Sequence, residues 1–208
     1  MKAKMIIIEA VGYLLAYYRS DLDYIRSFQN CKHYQGNYFT DFKDTVLSRF
    51  LAEYRVARNL QKGQIEKLLK TLIAHVQTDQ ADDVDFLAKK LRKLNITHDK
   101  TMISLTSKIL FLNNPWKILP YDRFVRKGIG YSGSTYSGYF RAVQKSKERI
   151  IEFYHGLPNS ILAYLQLIEG EAASDIARLE KVRKTRFIDK VLWTLGRNKT
   201  DLEHFDRQ

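Results

Sequence analysis

Proline, the residue that most strongly interrupts an α-helix, is nearly absent from this chain. The first of the three prolines is Pro115, so more than a hundred residues run without one. Apolar residues in the same stretch recur at helical spacing, most clearly at Ile65, Leu68, Leu69, Leu72, Ile73 and Val76. Nothing alternates convincingly with the period of two that a half-buried strand needs. The sequence therefore predicts an all-α protein.

Similar apolar stripes predict further helices. One runs from Val46 to Leu60, and a shorter one from Val84 to Leu94. After Pro158 a stripe runs from Ile161 to Ile168. A late one from Leu179 to Leu195 stops at Gly196, which is expected to form a C-cap.

The helices are expected to form one compact multi-helix domain over residues 1–208, with two helical lobes of roughly 1–100 and 101–208. No turn segment between the helices is long enough to be a linker between independent domains. The longest apolar run, Met5–Tyr18, contains Glu9 and is too short to span a membrane, so it predicts a buried N-terminal helix. The single cysteine, Cys31, excludes an internal disulfide and a Cys-rich zinc site. We expect a cytoplasmic monomer that uses no metal and no cofactor.

The charge balance favours an anionic partner. Lys and Arg number 35 against 23 Asp and Glu, which gives a formal net charge of +12. Such an excess is most often found in proteins that bind nucleic acid, although it can also serve only solubility.

The most informative segment is Ser104–Tyr131, SLTSKILFLNNPWKILPYDRFVRKGIGY. A helix that carries Lys108 among apolar neighbours runs into a turn bracketed by Pro115 and Pro120. Asp122 then stands at the N-cap position of a new helix, directly before Arg123 and Phe124.

These two residue types suit chemistry at a glycosidic carbon. Burial lowers the pKa of a lysine, and a neutral amine is a nucleophile that can form a Schiff base with a sugar carbon. A helix N-terminus keeps an aspartate ionised, and such a carboxylate can stabilise an oxocarbenium-like centre. The alternative is a surface lysine and an aspartate that only caps its helix, which are commoner arrangements.

The order Ser107-Lys108, apolar helix, proline turn, Pro120-Tyr121-Asp122 and second helix resembles the catalytic segment of the helix-hairpin-helix DNA glycosylase superfamily. It is most similar to the 8-oxoguanine glycosylase branch and to bacterial proteins of that fold. The C-terminal segment Val182–Gly196 also resembles the closing helix of small bacterial proteins of this kind. By position, Lys108 matches the family's Schiff-base lysine and Asp122 its essential aspartate. The family's hairpin usually has glycines just before the lysine, whereas this chain has Ser104, Leu105, Thr106 and Ser107.

The resemblance implies a DNA glycosylase that excises a damaged or modified base and also cleaves the strand as an abasic-site lyase. Such enzymes extrude the target nucleotide from double-stranded DNA into a pocket, where aromatic residues stack on the flipped base or fill the gap that it leaves. The aromatic residues nearest the motifs are Trp116, Tyr121, Tyr131 and Trp193, for each of which a core or scaffold role is the alternative. The expected role is DNA repair or defence against foreign DNA such as that of phages. Two other functions stay open, namely a non-catalytic nucleic-acid-binding helical module and a helical protein-interaction or defence protein.

Contacts with DNA are expected from residues that follow the motif. Gly128–Gly138 forms a polar loop whose backbone amides can bind phosphate, or which is an ordinary solvent loop. The second basic run, from Arg178 to Lys190, is interpreted as a charged helix face, and the aspartates of Asp79–Asp85 are interpreted as caps of the Val84 helix. Glu53, Arg55 and Arg58 could form a buried ion pair or a pocket wall, and a structural role is preferred for them. The predicted DNA-binding residues are Lys117, Arg123, Arg126, Lys127, Tyr131, Ser132, Arg141 and Lys145.

Overall fold

The protein is all-α, as predicted. The structure, a computed structural model, describes residues 2–34, 37–170 and 178–198. Their only β-type pairing is an isolated antiparallel bridge between Leu60 and Thr97. The helices are α1 (Lys2–Tyr34), α2 (Asn37–Asp41), α3 (Ser48–Glu53), α4 (Ile65–His75), α5 (Val84–Lys93), α6 (Ile103–Asn113), α7 (Arg123–Gly128), α8 (Tyr136–His155), α9 (Asn159–Glu169) and α10 (Leu179–Arg197).

Helix α1 runs along the core and joins the two halves of the chain. Its buried face includes Leu14, Tyr18 and Phe28, and it packs against α6, α9 and α10. The predicted N-terminal helix is therefore present, with one face buried and the other exposing Met5 and Ile8. No helix in the described part of the chain is both long and apolar enough to cross a membrane. The division into two lobes near residue 100 stays a prediction.

The single helix predicted from Val46 to Leu60 is wrong. A π-helical segment, Phe42–Leu47, leads into α3, which ends at Glu53, and a 3-10 turn follows at Ala57–Asn59. The chain reverses at Arg55, whose φ of 55° lies in the left-handed region. The amide of Val56 then donates to the carbonyl of Leu51, which closes the helix end. Of the predicted stripe, Tyr54 and Leu60 still pack on the core beyond the end of α3, whereas Ala57 is exposed.

The predicted C-cap at Gly196 is also wrong, because α10 continues to Arg197. Gly196 is instead the point where α10 touches α7. A Cβ built on Gly196 would lie 1.7 Å from the carbonyl oxygen of Phe124. The facing residue is Gly128, where a Cβ would lie 2.5 Å from the carbonyl oxygen of Leu192. Two glycines thus bring the backbones of α7 and α10 together.

Aspartates cap two helices around the start of α5. Asp83 is the N-cap of α5 and accepts a hydrogen bond from the amide of Phe86 at 2.8 Å, as the sequence predicted. Asp85 reaches the N-terminus of α8, where it accepts from the amides of Tyr136 and Ser137 at 2.7 and 3.0 Å. The second contact ties α5 to the segment that follows the site.

Candidate functional site

Lys108 lies in the middle of α6, a helix buried along most of its length. Its side chain is only 9% exposed, and its ammonium donates to the backbone carbonyl of Tyr54 at 2.9 Å. That carbonyl is free to accept because α3 ends at Glu53 and the chain turns at Arg55. Burial lowers the pKa of the Lys108 ammonium, while the carboxylates of Asp122 and Asp189 act in the opposite direction.

Asp122 is the N-cap of α7, which confirms the prediction from the sequence. Its Oδ1 accepts from the amide of Phe124 at 2.8 Å. Its Oδ2 lies 3.7 Å from the Lys108 Nζ. The backbone bond at one oxygen fixes the carboxylate, and the other oxygen faces the amine. Two residues fourteen positions apart in the sequence therefore meet.

The turn between α6 and α7 is held by hydrogen bonds on both sides. The amide of Tyr121 donates to the Ser107 hydroxyl at 2.9 Å, one residue before Lys108. From α8, the Tyr139 hydroxyl donates to the Pro120 carbonyl at 2.8 Å, and Tyr136 bonds to both backbone groups of Leu119. These bonds fix the distance between the lysine and the aspartate.

A network of buried charges lies beside the amine. The Arg186 guanidinium binds Asp21 at 2.7 Å and Asp189 at 2.9 Å. The Tyr54 hydroxyl donates to the other oxygen of Asp21. Burial raises the pKa of Asp189, although Arg186 and Lys190 oppose this. Burial has the opposite effect on Lys190 and lowers the pKa of its ammonium, whose Nζ lies 3.8 Å from Asp189 Oδ2. Through Asp21 this network is linked to Tyr54, whose backbone carbonyl binds the Lys108 ammonium.

Lys108 and Asp122 line one open cleft with a volume of about 1210 Å³. Basic and aromatic side chains dominate its walls, whereas only four carboxylates line it among the described residues. The basic residues are Arg55, Arg58, Lys108, Arg123, Arg126, Arg186, Lys190 and Arg197. The aromatic residues are Tyr13, Tyr17, Tyr24, Tyr54, Tyr121, Phe124 and Trp193.

Four of these arginines stand apart from the acidic side chains. Arg55, Arg58, Arg123 and Arg126 form no ion pair with any carboxylate of the described residues. Arg126 instead lies over the Tyr121 ring, with its guanidinium carbon 4.9 Å from the centroid. Unpaired arginines beside aromatic rings are well suited to bind phosphates and planar bases.

The structure separates the predicted DNA-binding residues into two groups. Arg123, Arg126 and Ser132 line the cleft. The other five do not line it. The Lys117 ammonium lies 2.9 Å from Asp82, and the Tyr131 hydroxyl donates to the Thr135 carbonyl. The remaining three side chains are exposed to solvent. Those exposed residues are Lys127, Arg141 and Lys145.

The backbone amides at the start of α8 are already occupied. Tyr136 and Ser137 donate to Asp85, and Gly138 donates to the Thr135 hydroxyl. The suggestion that amides of the Gly128–Gly138 loop bind phosphate is therefore wrong for these three positions. Gly128 itself lies in α7, where it packs against α10.

Several cleft residues were not predicted as functional. The basic run on α10 was interpreted as a charged helix face, yet Arg183 and Arg186 are both buried. Of the basic and aromatic cleft residues on α10, only Trp193 was named as a candidate from the sequence, for stacking on the base. A signal for the others was present, because Arg186, Lys190 and Arg197 share with Trp193 the three-and-four spacing of one helical face. Glu53, Arg55 and Arg58 also line the cleft.

Cys31 does not contribute to this chemistry. It is buried, and burial raises the pKa of its thiol to about 11, which disfavours the reactive thiolate.

Comparisons with protein-family models, with curated proteins and with solved structures find no match for this chain.

Proposed function

We propose that the protein is a DNA glycosylase with abasic-site lyase activity, and that Lys108 is its nucleophile. The observation that carries the proposal is the 3.7 Å separation between the Lys108 Nζ and the Asp122 Oδ2 in a cleft rich in unpaired arginines. The resemblance of this segment to helix-hairpin-helix glycosylases supports the same assignment, and the helix-hairpin-helix fold itself is part of the proposal.

The reaction begins with the neutral amine. Burial of Lys108 increases the fraction without a proton, and the amine then attacks C1′ of the extruded nucleotide. The C1′–N bond breaks, and the base leaves with its electron pair and takes a proton from water. The Asp122 carboxylate stabilises the positive charge that develops on the sugar. The nitrogen then loses a proton, and the C1′–O4′ bond breaks as O4′ takes up a proton, which opens the sugar ring and gives an iminium. Loss of a proton from C2′ of the iminium permits elimination of the 3′ phosphate.

A suitable test uses duplex DNA that carries a single abasic site, because this probe requires no knowledge of the base. Borohydride reduces the iminium to a stable amine, which leaves protein and DNA covalently joined. Wild type should form the adduct, and Lys108→Gln should lose it. Glutamine keeps an N–H donor for the Tyr54 carbonyl, so thermal unfolding should change little. Lys117→Gln is the matched control, since Lys117 is exposed and lies outside the cleft-lining set.

Base removal is tested separately with a panel of duplexes that carry oxidised, alkylated or otherwise modified bases. Release of one of them by wild type and its loss in Asp122→Asn would support the glycosylase step. Equal trapping by wild type and Lys108→Gln on the abasic duplex would overturn the assignment of the nucleophile.

One observation favours a second candidate function. Because the Lys108 ammonium is bonded to the Tyr54 carbonyl, the lysine also stabilises the end of α3. A non-catalytic nucleic-acid-binding module would keep that bond and the basic cleft. It would bind DNA without releasing any base and without trapping, and Lys108→Gln would weaken the binding only mildly.

A further inference from the structure

One wall of the cleft consists of aromatic rings from three helices. Tyr13 and Tyr17 lie on α1, Phe124 on α7 and Trp193 on α10, and all four line the cleft. We call them the aromatic wall. Three of its members touch edge to face, with centroids 4.9 Å apart for Tyr13 and Trp193 and 5.5 Å apart for Phe124 and Trp193. None of the four is buried, and Tyr17 is 52% exposed.

Cations lie over the rings of the aromatic wall. The Arg197 guanidinium carbon is 5.4 Å from the Tyr13 centroid and 5.3 Å from that of Trp193. Arg123 lies 4.8 Å from the Phe124 centroid. The Lys190 Nζ lies 4.8 Å from the Tyr17 centroid. Arg123 and Arg197 are exposed. Because exposed cation–π contacts are weak, these two cations can move to a phosphate and leave a ring face for a base.

Proteins that bind unpaired nucleic-acid strands combine these two elements, stacking rings and a basic groove that follows the backbone. The unpaired arginines Arg55, Arg58 and Arg126 provide further positive charge elsewhere in the same cleft. The volume of about 1210 Å³ also exceeds the range of about 300–1,000 Å³ typical of small-ligand sites. A single extruded base would leave much of this space unfilled.

We propose that the cleft binds a stretch of two or more unpaired nucleotides, with bases stacked on the aromatic wall and phosphates on the cleft arginines. The inference deepens the proposed function, because it names the form of the DNA substrate. It rests on the proposed function only in that both assign binding to the same cleft. The preferred DNA is then single-stranded or locally melted, so that in a duplex at least one nucleotide beside the extruded one is also unpaired.

The test measures binding of a labelled twelve-nucleotide oligo-dT by fluorescence anisotropy, against a blunt duplex of equal length, over a range of salt concentrations. Oligo-dT should bind at least about tenfold more tightly than the duplex. A twelve-nucleotide oligo-U tests whether the wall accepts RNA, since stacking does not depend on the sugar. Equal or tighter binding of the duplex would overturn the proposal.

Variants assign the binding to the aromatic wall. Trp193→Ala should lower the affinity for oligo-dT by about 5- to 100-fold, the loss expected for one stacked base, with an unchanged salt slope. Arg123→Gln should lower the salt slope by about one. Tyr164→Ala is the control, because Tyr164 is an aromatic residue that is 52% exposed but lies on α9 outside the cleft lining. A loss in the control equal to that in Trp193→Ala would contradict the assignment.

A second measurement keeps Trp193 in place and therefore does not depend on whether Trp193→Ala folds. The chain has two tryptophans, so Trp116→Phe leaves Trp193 as the only indole fluorophore. Oligo-dT should quench its emission, and the absence of quenching at saturating oligo-dT would overturn the proposal.

Retained oligo-dT binding with no borohydride adduct overturns the glycosylase proposal alone, whereas trapping combined with a preference for duplex overturns this inference alone.

Discussion

The contact between α7 and α10 sets the position of Asp122, and a single methyl group tests it. Gly196→Ala places a Cβ 1.7 Å from the Phe124 carbonyl oxygen and 2.9 Å from the Gly128 amide nitrogen. Both neighbours are backbone atoms, which cannot rotate away as a side chain can. To reach even a 3.0 Å separation from the carbonyl oxygen, α7 must move from α10 by more than about 1 Å.

The expected cost follows from two opposing effects. Alanine is favoured over glycine inside a helix by about 1 kcal/mol. Forcing extra volume into a packed site costs about 1–3 kcal/mol, and more when backbone must move. We expect a net loss of about 2 kcal/mol, which for a protein of this size lowers the melting temperature by about 4–8 °C. Asp122 begins α7 and moves with it, and a shift of about 1 Å at a reacting group can cost about 100-fold in rate.

The assay is thermal unfolding followed by circular dichroism at 222 nm, together with the rate of borohydride adduct formation. Gly12→Ala is the matched control, because Gly12 is an exposed helical glycine on α1 where an added methyl group would meet no packing neighbour within 4 Å. The control should be as stable as wild type or more stable by up to about 1 kcal/mol. If Gly196→Ala melts at or above the wild-type temperature, the close contact and its role in placing Asp122 are refuted.

Three further predictions concern stability. His75 is buried with neither ring nitrogen hydrogen-bonded to a described residue, and its pKa is lowered by burial first and then by Lys90. Because the unfolded chain takes up this proton at a higher pH than the folded chain, the free energy of unfolding should decrease as the pH is lowered below about 6.5, by up to about 1.4 kcal/mol per pH unit. In urea titrations, His75→Leu should remove this contribution. Glu169→Gln should cost about 3–5 kcal/mol in urea unfolding because it leaves the buried Arg183 guanidinium without its carboxylate, and a double variant with methionine at both positions should recover most of the loss. Asp83→Ala should cost about 1 kcal/mol in the same assay through loss of the α5 cap, and a negligible cost would contradict that capping role.

The sequence predicted those features of the fold that depend on neighbours in the chain. Apolar spacing located most of the helices, and residue type predicted the caps at Asp83 and Asp122. It failed where a distant contact decides the local structure. The stripe through Tyr54 continues past the true end of α3, because Tyr54 and Leu60 still pack on the core although Arg55 reverses the chain.

The features of the candidate site also divide into those that depend on neighbours in the chain and those that depend on distant contacts. Lys108 and Asp122 were identified from one short segment, because the turn that brings them together lies between them in the chain. The contacts among Tyr13, Trp193 and Arg197 depend on α1 packing against α10, and nothing local in the sequence encodes that pairing. Gly196 was misinterpreted for the same reason, since a packing glycine and a capping glycine look alike until the facing helix is known.

The central claim is that the amine of Lys108 and the carboxylate of Asp122 act together on one deoxyribose. The most direct measurement is peptide mapping by mass spectrometry of the borohydride-trapped adduct with abasic DNA, after nuclease digestion. The account predicts the reduced sugar on the Lys108 side chain. A modification found on Lys190 or on another amine in place of Lys108 would contradict it.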